Sequence, residues 1–408
     1  MINIAVLGYG TVGSGVVEVI EKNKEMVNKK AGEELYIKYI LDIREFPGDP
    51  YEDKVVHDVD LILEDREVAV VCETMGGVGA AYQFTKRALE NGKSVCTSNK
   101  ELVAAHGPEL LGIARAKHCN YLFEASVGGG IPIIRPLNYS LTAERIEAIT
   151  GILNGTTNYI LTKMGKEGAE FEEVLKEAQE KGYAERNPQA DIEGHDACRK
   201  IAILSSLMLG KNVPPGKVYT EGITKLEPAD FLYAKAAGKT IKLLAMSRMV
   251  APKESDVTAV LVAPFLIGEG HPLSMVNNVF NAVFVRGNML GDSMYYGQGA
   301  GKLPTASAVV SDVIDCARHQ GKSMMCFWEK EEAQLLEIGE TQRSFFVRGK
   351  AGTLEQVKTS FPGGQLLEIP GRREDFGYFT ETMKEKDFTA KCKTLGGLIL
   401  SRLRVMPT

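Results

Sequence analysis

The chain has 408 residues, which is too long for one ordinary hydrophobic core, so we expect two or three domains. It is 44% hydrophobic and 25% charged, as globular proteins are, and its net charge of −5 excludes a general attraction to nucleic acid or anionic membranes. Seven scattered cysteines without a C-x-x-C pair predict reduced thiols in a cytoplasmic protein, not a disulfide framework or a zinc site. We recognise no signal peptide and no membrane-spanning run.

The first predicted element is a buried strand, Ile2–Leu7, followed at once by Gly8, Gly10 and Gly13 at G-x-G-x-x-G spacing. Apolar residues then recur at helical spacing. A strand, a glycine loop and a helix in this order are typical of dinucleotide binding, because the glycines permit a tight turn, close approach of a pyrophosphate and helix–strand packing. The alternative is a glycine-rich turn that binds nothing.

The second predicted strand, Tyr36–Leu41, ends just before Asp42. An acid at this point hydrogen-bonds the adenosine ribose of NAD, whereas Arg44, two residues later, suits the 2′-phosphate of NADP. The two residues point to different cofactors, and either also fits a solvated loop. The choice between NAD and NADP therefore stays open.

Further strands are predicted at Val68–Cys72, Ser94–Cys96 and Tyr121–Phe123, with a helix near Val78–Glu90. This alternation predicts a doubly wound parallel sheet. Ligands of such sheets bind beyond the carboxyl ends of the strands. Lys100 lies there, where the nicotinamide end of a dinucleotide would reach, although an isolated lysine is more often a surface residue.

Glu124 opens the loop E-A-S-V-G-G-G-I-P, which has three successive glycines. A carboxylate with inward-turned carbonyl groups suits a hard monovalent cation. A tight connection between two domains explains the same residues equally well.

A second, α+β unit is predicted after about residue 143. Its elements are a strand at Ile146–Leu153, a polar turn at Asn154–Asn158, a helix at Ala229–Ala245, and strands at Val257–Ile267 and Asn278–Val285. A second glycine-rich loop at 297–305 opens a helix, Ala306–Arg318, and could close over a cofactor.

The stretch 182–210 combines acids with a buried helix. Glu185 and Asp191 lie in its polar half, and Asp196 and Lys200 are one helical turn apart. The helix is apolar on nearly every side, so an ion pair at its start is expected to face a cleft. A surface salt bridge is the alternative.

From Arg343 the pattern is β-α-β-β-α-β, the ferredoxin-like plan, after a linker at 319–342. Together these stretches resemble homoserine dehydrogenase. The motifs, in the order of that family, are GYGTVGSG at 8–15, TSNK at 97–100, EASVGGGIP at 124–132, GILNGTTNYIL at 151–161, GYAERNPQADIEGHDACRK at 182–200, EGITKL at 221–226 and GQGAGKLPTASAVVSD at 297–312. The last segment resembles a degenerate ACT-type regulatory domain. With no kinase-like segment before the first strand, we expect a monofunctional enzyme.

The resemblance implies an α/β protein with a Rossmann-type dinucleotide-binding domain, an α+β catalytic and dimerisation domain and a small ferredoxin-like, ACT-like domain. The expected boundaries are 1–135 with 297–318 for the dinucleotide, 136–296 for substrate binding and dimerisation, 319–342 for the linker and 343–408 for the ACT-like regulatory domain. The implied partners are a small-molecule substrate, a second or further copies in a homodimer or homotetramer, and threonine as effector, with no nucleic acid and no membrane. Pro362-Gly363-Gly364 and Pro370-Gly371 interrupt the last segment, so the alternative is that effector binding is lost while assembly survives.

The implied reaction is NAD(P)-dependent hydride transfer that interconverts L-aspartate semialdehyde and L-homoserine in threonine and methionine biosynthesis. Lys100 and Lys200 correspond to the two family lysines at the reacting carbonyl. Candidate substrate contacts are Glu185, Asp191, Asp196 and Thr157. Candidate cofactor contacts are Gly8, Gly10, Thr11, Val12, Gly13, Asp42, Arg44, Thr74, Ser98 and Gly301. The family's sodium site corresponds to Glu124, Val127, Gly129 and Ile131.

Two departures from the family pattern concern the cofactor side. Ser98 replaces an alanine, and Thr74-Met75-Gly76-Gly77 replaces a hydrophobic residue followed by two glycines.

Two other functions remain open at this point. A semialdehyde dehydrogenase that forms a thioester needs an activated cysteine beside a base, and the segments of Cys72, Cys96 and Cys198 hold no matching histidine. A non-catalytic metabolite sensor would use the same dinucleotide fold.

Overall fold

The computed structural model describes residues 1–251 and 255–407. By its internal contacts the chain divides into two compact units. The first consists of Met1–Arg145, Ala202–Pro215 and Tyr295–Ala333, and the second of Ile146–Ile201, Gly216–Met294 and Gln334–Thr408. The predicted domain boundaries stay a prediction. Across the described ranges, no helix is both long and apolar enough to cross a membrane.

The first 145 residues form a parallel sheet with flanking helices. The strands are β1 (Ile2–Leu7), β2 (Leu35–Leu41), β3 (Val55–Val56), β4 (Val68–Glu73), β5 (Ser94–Thr97) and β6 (Tyr121–Leu122). The helices are α1 (Thr11–Lys22), α2 (Lys24–Ala31), α3 (Asp60–Leu63), α4 (Gly79–Glu90) and α5 (Lys100–Ala116). The strand order is β3-β2-β1-β4-β5-β6, and every pair is parallel. This is the doubly wound order of dinucleotide-binding folds, which confirms the predicted fold class.

The middle of the chain contributes to both units. Its elements are β7 (Ile146–Ile152), α6 (Gly155–Glu167), α7 (Phe171–Glu180), α8 (Gln189–Ile192), α9 (His195–Leu209), β8 (Tyr219–Thr220), α10 (Pro228–Ala236), β9 (Lys239–Met249), β10 (Thr258–Gly268), β11 (Phe280–Gly287), β12 (Gly291–Gln298) and α11 (Lys302–Arg318). The predicted strands and the predicted buried helix α9 are found within a few residues of their expected bounds.

The prediction of one helix over Ala229–Ala245 is wrong. Helix α10 ends at Ala236, Gly238 adopts a left-handed conformation (φ +63°), and β9 begins at Lys239. β9 lies between β7 and β10 in the sheet, so most of its side chains are buried on both faces. A strand buried on both faces lacks the alternation of apolar and polar residues that separates strand from helix in a sequence.

The last segment has the expected β-α-β-β-α-β order, with a short additional pair of strands. Its elements are β13 (Gln342–Arg343), β14 (Phe345–Lys350), α12 (Leu354–Ser360), β15 (Gln365–Leu367), β16 (Asp375–Phe379), β17 (Met383–Lys384), α13 (Glu385–Leu395) and β18 (Ile399–Val405). The order β18-β14-β16-β15 is antiparallel throughout, as in ferredoxin-like folds. β18 also pairs with β10, so the segment continues the sheet β12-β11-β7-β9-β10.

A buried cluster of charges ties this last segment to α10. The guanidinium of Arg348 on β14 binds Asp230 (Nε–Oδ1, 2.9 Å), Asp375 (Nη1–Oδ2, 3.0 Å) and Glu227. Tyr233 donates a further hydrogen bond to Asp375 at 2.8 Å. Asp230 is fully buried, so its charge depends on Arg348 for compensation.

We expect Arg348→Ala to lower the free energy of unfolding by about 3–5 kcal/mol, because it leaves the buried carboxylate of Asp230 without its cation, whereas Asp375 keeps its ion pair with Arg372. The control is Arg286→Ala, which removes an exposed ion pair with Asp292 and should cost about 1 kcal/mol or less. Urea unfolding measures both variants. Equal losses would contradict the role assigned to Arg348.

Candidate active site

The glycine loop after β1 has the geometry that a pyrophosphate requires. Gly8 has φ +91°, and a Cβ on Gly13 would lie 1.9 Å from the carbonyl oxygen of Gly8. Thr74, at the end of β4, donates from its hydroxyl to that same oxygen at 2.8 Å. A Cβ on Gly10 would meet no described atom within 4 Å, so the backbone there is open to a ligand. Thr11 and Val12 follow in the first turn of α1, whose N-terminus favours an anion.

Helix α11 packs against α1 in the first unit. A Cβ on Gly15 would lie 2.9 Å from that of Ala306, and Lys302 pairs with Glu18 at 2.7 Å. Gly301 caps α11 with φ +121°. The motif at 8–15 contains Gly15, but its role in helix packing depends on α11, which is distant in the chain.

Asp42 and Arg44 contact each other. Nε and Nη2 of Arg44 each bind one oxygen of Asp42 at 2.9 Å, and the same carboxylate accepts from the backbone N–H groups of Tyr9 (2.7 Å) and Arg44 (3.0 Å). The pairing with Arg44 holds the pKa of Asp42 well below its usual range. Asp42 therefore fixes the glycine loop through Tyr9, and the largely exposed Arg44 is held beside it.

A chain of hydrogen bonds positions the residues before Lys100. Thr97 donates to the buried carboxylate of Glu73 at 2.6 Å and accepts from the N–H of Asn99 at 2.9 Å. Asn99 caps α5 and donates to the carbonyl group of Gly77 at 2.6 Å. Burial raises the pKa of Glu73.

Lys100 is the first residue of α5, and Ser98 is half-buried beside Asn99. Sequence reasoning missed Glu73, Thr97 and Asn99. Their positions at strand ends were the available signal.

Asn154 connects three of the candidate substrate residues. Its amide nitrogen donates to Asp191 at 2.7 Å and to Asp196 at 2.9 Å, and its amide oxygen accepts from the N–H of Thr157 at 2.8 Å. The last contact caps α6, so one side chain both starts that helix and bridges two carboxylates. Sequence reasoning placed Asn154 only in a polar turn.

Lys200 on α9 is buried together with its counter-ion. Its ammonium lies 2.9 Å from Asp196 Oδ2 and donates to the carbonyl oxygen of Leu153 at 2.7 Å. Both side chains are at most 10% exposed, so this pair is not the surface salt bridge that remained as an alternative. Asp196 at this distance stabilises the charged ammonium.

The other two candidate substrate residues differ in exposure. Glu185 is exposed in the loop that follows α7. The hydroxyl of Thr157 is buried and within hydrogen-bond distance of the amide oxygen (3.0 Å) and carbonyl oxygen (3.2 Å) of Asn154.

The carboxylate of Glu124 is occupied by backbone donors. It accepts from the N–H groups of Ile133 (2.6 Å), Ile134 (2.9 Å) and Arg135 (2.6 Å). The loop between is tight: Gly129 has φ +56°, and a Cβ on it would lie 2.4 Å from the carbonyl oxygen of Gly299. Within the described residues, no cluster of three or more His, Cys, Asp or Glu side chains could hold a metal ion.

The thiols do not support thioester chemistry. Burial raises the pKa of Cys72, Cys96 and Cys198 above that of a free thiol. Since the thiolate is the nucleophile, these residues are suited to packing rather than catalysis.

Comparison with known proteins gives the family. A family model described as homoserine dehydrogenase matches residues 132–314, and one described as homoserine dehydrogenase, NAD binding domain, matches residues 8–124. A homoserine dehydrogenase of Neisseria gonorrhoeae is 41% identical over 379 residues, or 87% of this chain and 84% of that protein. The chain belongs to the homoserine dehydrogenase family.

Solved structures of homoserine dehydrogenases also match the fold of this chain. That from Thiobacillus denitrificans has a TM-score of 0.89 and 34% identity, and the match covers 99% of this chain and 98% of that one. A hyperthermophilic archaeal homoserine dehydrogenase, solved in complex with NADPH, has a TM-score of 0.64 and 28% identity over 77% of this chain and 97% of that one. The function is therefore NAD(P)-dependent hydride transfer between L-homoserine and L-aspartate semialdehyde, and neither the thioester enzyme nor the sensor is supported.

We expect Asn154→Ser to lower kcat by up to about 100-fold, because the loss of the bridging N–H groups lets Asp191 and Asp196 repel and displaces Lys200. A serine hydroxyl still caps α6, so the loss in the free energy of unfolding should be limited to that of the lost hydrogen bonds to the two carboxylates, about 1–3 kcal/mol. Steady-state kinetics and urea unfolding separate the two effects. A variant with normal kcat would show that the bridge is not needed for catalysis.

Proposed function

We propose that Lys200 is the catalytic lysine that acts on the oxygen atom at the reacting carbon, with Lys100 as the second catalytic lysine. The observation that supports this is the buried ammonium of Lys200, held by Asp196 and the carbonyl group of Leu153. A bound nicotinamide supplies or accepts the hydride. When the aldehyde is reduced, its oxygen becomes an alkoxide, and a preorganised cation or proton donor stabilises that charge.

The substrate also carries an ammonium group and a carboxylate. We assign the ammonium to Glu185 and Asp191, which are acids on the loop and short helix before α9. The carboxylate is assigned to the N-terminus of α6, where the backbone N–H groups that precede Thr157 provide donors and the helix dipole favours an anion. The buried Thr157, bonded to Asn154, supports this turn from behind. Asn154 holds Asp191 and the start of α6 together, so it positions both ends of the substrate site.

We expect Lys200→Ala and Lys100→Ala each to lower kcat by about 100-fold or more, the effect of losing a proton donor or an oxyanion contact. Lys163→Ala is the control, because Lys163 lies on α6 and pairs with Glu167 near the surface. Its kcat should stay near normal. If both site variants turn over homoserine at the unmodified rate, the assignment is wrong.

The cofactor preference is proposed to include NADP. Arg44 is exposed, always charged and fixed by Asp42, as a contact to a 2′-phosphate requires. The archaeal relative solved with NADPH supports this proposal. Thr11, Val12, Ser98 and Gly301 are proposed as further cofactor contacts, because they lie at a helix N-terminus or next to one.

We expect Arg44→Ala to raise the KM for NADP about tenfold or more, which corresponds to one charge-assisted hydrogen bond, with little change for NAD. The experiment compares initial rates with the two cofactors for both proteins. An unchanged ratio of kcat/KM between NADP and NAD would remove Arg44 from the cofactor site and leave Asp42 as the ribose contact.

A sodium ion is proposed in the loop after Glu124, held by main-chain oxygens of Glu124, Val127, Gly129 and Ile131. The Glu124 side chain is already used by three N–H groups, so its contribution would come from its carbonyl group. Main-chain oxygens suit a hard cation, which would serve as a structural clamp on the loop. Initial rates at equal ionic strength with and without sodium test this.

We further propose a homodimer or homotetramer in the cytoplasm, with threonine as effector at the last segment. Exposed Met289, Leu290 and Met294 on the β11–β12 hairpin provide an apolar surface for a second copy. The ferredoxin-like order of β14–β18 supports a regulatory role. Light scattering measures the assembly, and initial rates with and without threonine test the effector.

A further inference from the structure

A cavity of about 450 Å³ lies beside the β9–β10 hairpin and shares no lining residue with the candidate substrate site. Its volume is within the range of small-molecule sites. Apolar side chains from the hairpin, including Met246, Met249 and Phe265, form much of its wall, and Arg248 and Arg343 also line it.

Arg343 is a buried cation with an unsatisfied donor. Its side chain is 10% exposed, and its guanidinium lies 5.4 Å from the ring centre of Phe265. The Nε atom is 3.5 Å from Glu385 Oε2, which is long for a hydrogen bond, and among the residues described it has no hydrogen-bond partner. A buried guanidinium whose contact with its carboxylate partner is this long favours a further anionic partner, and Arg343 is one of the residues that line the cavity.

Two carboxylates that the structure describes near the cavity, those of Glu385 and Glu340, are already engaged elsewhere. Glu385 accepts from Nε (3.1 Å) and Nη2 (2.5 Å) of Arg404. Glu340, in the cavity wall, pairs with Lys384 and Lys386 at 2.7 and 2.6 Å. The cavity is therefore electropositive.

Burial, together with Arg404 and Arg248, lowers the pKa of Arg343 to about 10, which still leaves it charged at neutral pH.

We propose that this cavity binds a small monocarboxylate with an apolar body and no ammonium group. The planar guanidinium of Arg343 matches a carboxylate, and Arg248 at the rim adds a second positive charge. The apolar wall accommodates the hydrocarbon part. Among the described residues of this wall, an ammonium group finds no uncommitted carboxylate. The ligand therefore differs in chemistry from homoserine, and the proposal stands independently of the reaction.

Calorimetric titration of the full chain with hexanoate tests the proposal. Norleucine adds only an α-ammonium group to hexanoate, and hexanol lacks its charge. We expect saturable binding of hexanoate and at least about tenfold weaker binding of the other two, the scale of one charge-assisted hydrogen bond. Equal binding of all three, or no saturable binding of hexanoate, would overturn the proposal.

Three variants locate the site. Arg343→Met removes the guanidinium and should weaken hexanoate binding at least about tenfold. Ala259→Phe keeps both arginines but fills the cavity, because Ala259 lines it, and should also weaken binding. Arg286→Met, which removes an exposed ion pair on β11, is the control, and its affinity for hexanoate should be unchanged.

If Arg343→Met does not fold, Ala259→Phe decides the outcome. Normal hexanoate affinity in a folded Arg343→Met or Ala259→Phe protein would refute the site. Hexanoate binding that appears only when the protein is diluted would also refute the proposal. In that case a second copy of the chain, which leaves on dilution, would be the partner of the arginines.

Discussion

The buried ammonium of Lys200 determines how the elements around the candidate substrate site are held together. A buried charge must be compensated, and Asp196 and the carbonyl group of Leu153 provide the compensation. Asp196 lies one turn earlier on the same helix, whereas Leu153 follows β7. The ammonium therefore joins a helix to the end of a strand, and Asn154, the next residue, extends this link to Asp191 and α6.

The parallel sheet and its helices depend on a different constraint: Cβ atoms must be absent where main chains approach closely. Gly13 and Gly8 are in contact only because Gly13 has no side chain, and Gly15 allows α1 and α11 to approach in the same way. The polar residues Thr74, Glu73 and Asp42 then fix the loops at the ends of the parallel strands. Rigid loops at these ends suit the binding of a dinucleotide, because less ordering is needed when it binds.

Regular elements could be predicted where local chemistry determines them. The strand and glycine motif at the start of the chain, the buried helix α9 and the β-α-β-β-α-β order were found as expected. The helix predicted through Ala245 was wrong because a strand buried on both faces has no polar alternation. The buried ion pair of Asp196 and Lys200, which lie on one local motif, could be predicted. Asn154 and Glu73 could not, because their roles depend on partners distant in the chain.

The pairing of β18 with β10 also could not be predicted from the sequence. It consists of only two residue pairs, Phe265 with Arg404 and Leu266 with Val405, which are far apart in the chain. It has a consequence for regulation. In the sheet, β10 pairs with β9 and β9 with β7, whose end leads directly to Leu153 and Asn154. One hydrogen-bonded sheet therefore connects the last segment to the residue after β7, Leu153, which binds Lys200. A ligand of the last segment can influence the lysine only by binding more tightly to one of two arrangements of this sheet, since equal affinity for both shifts no equilibrium.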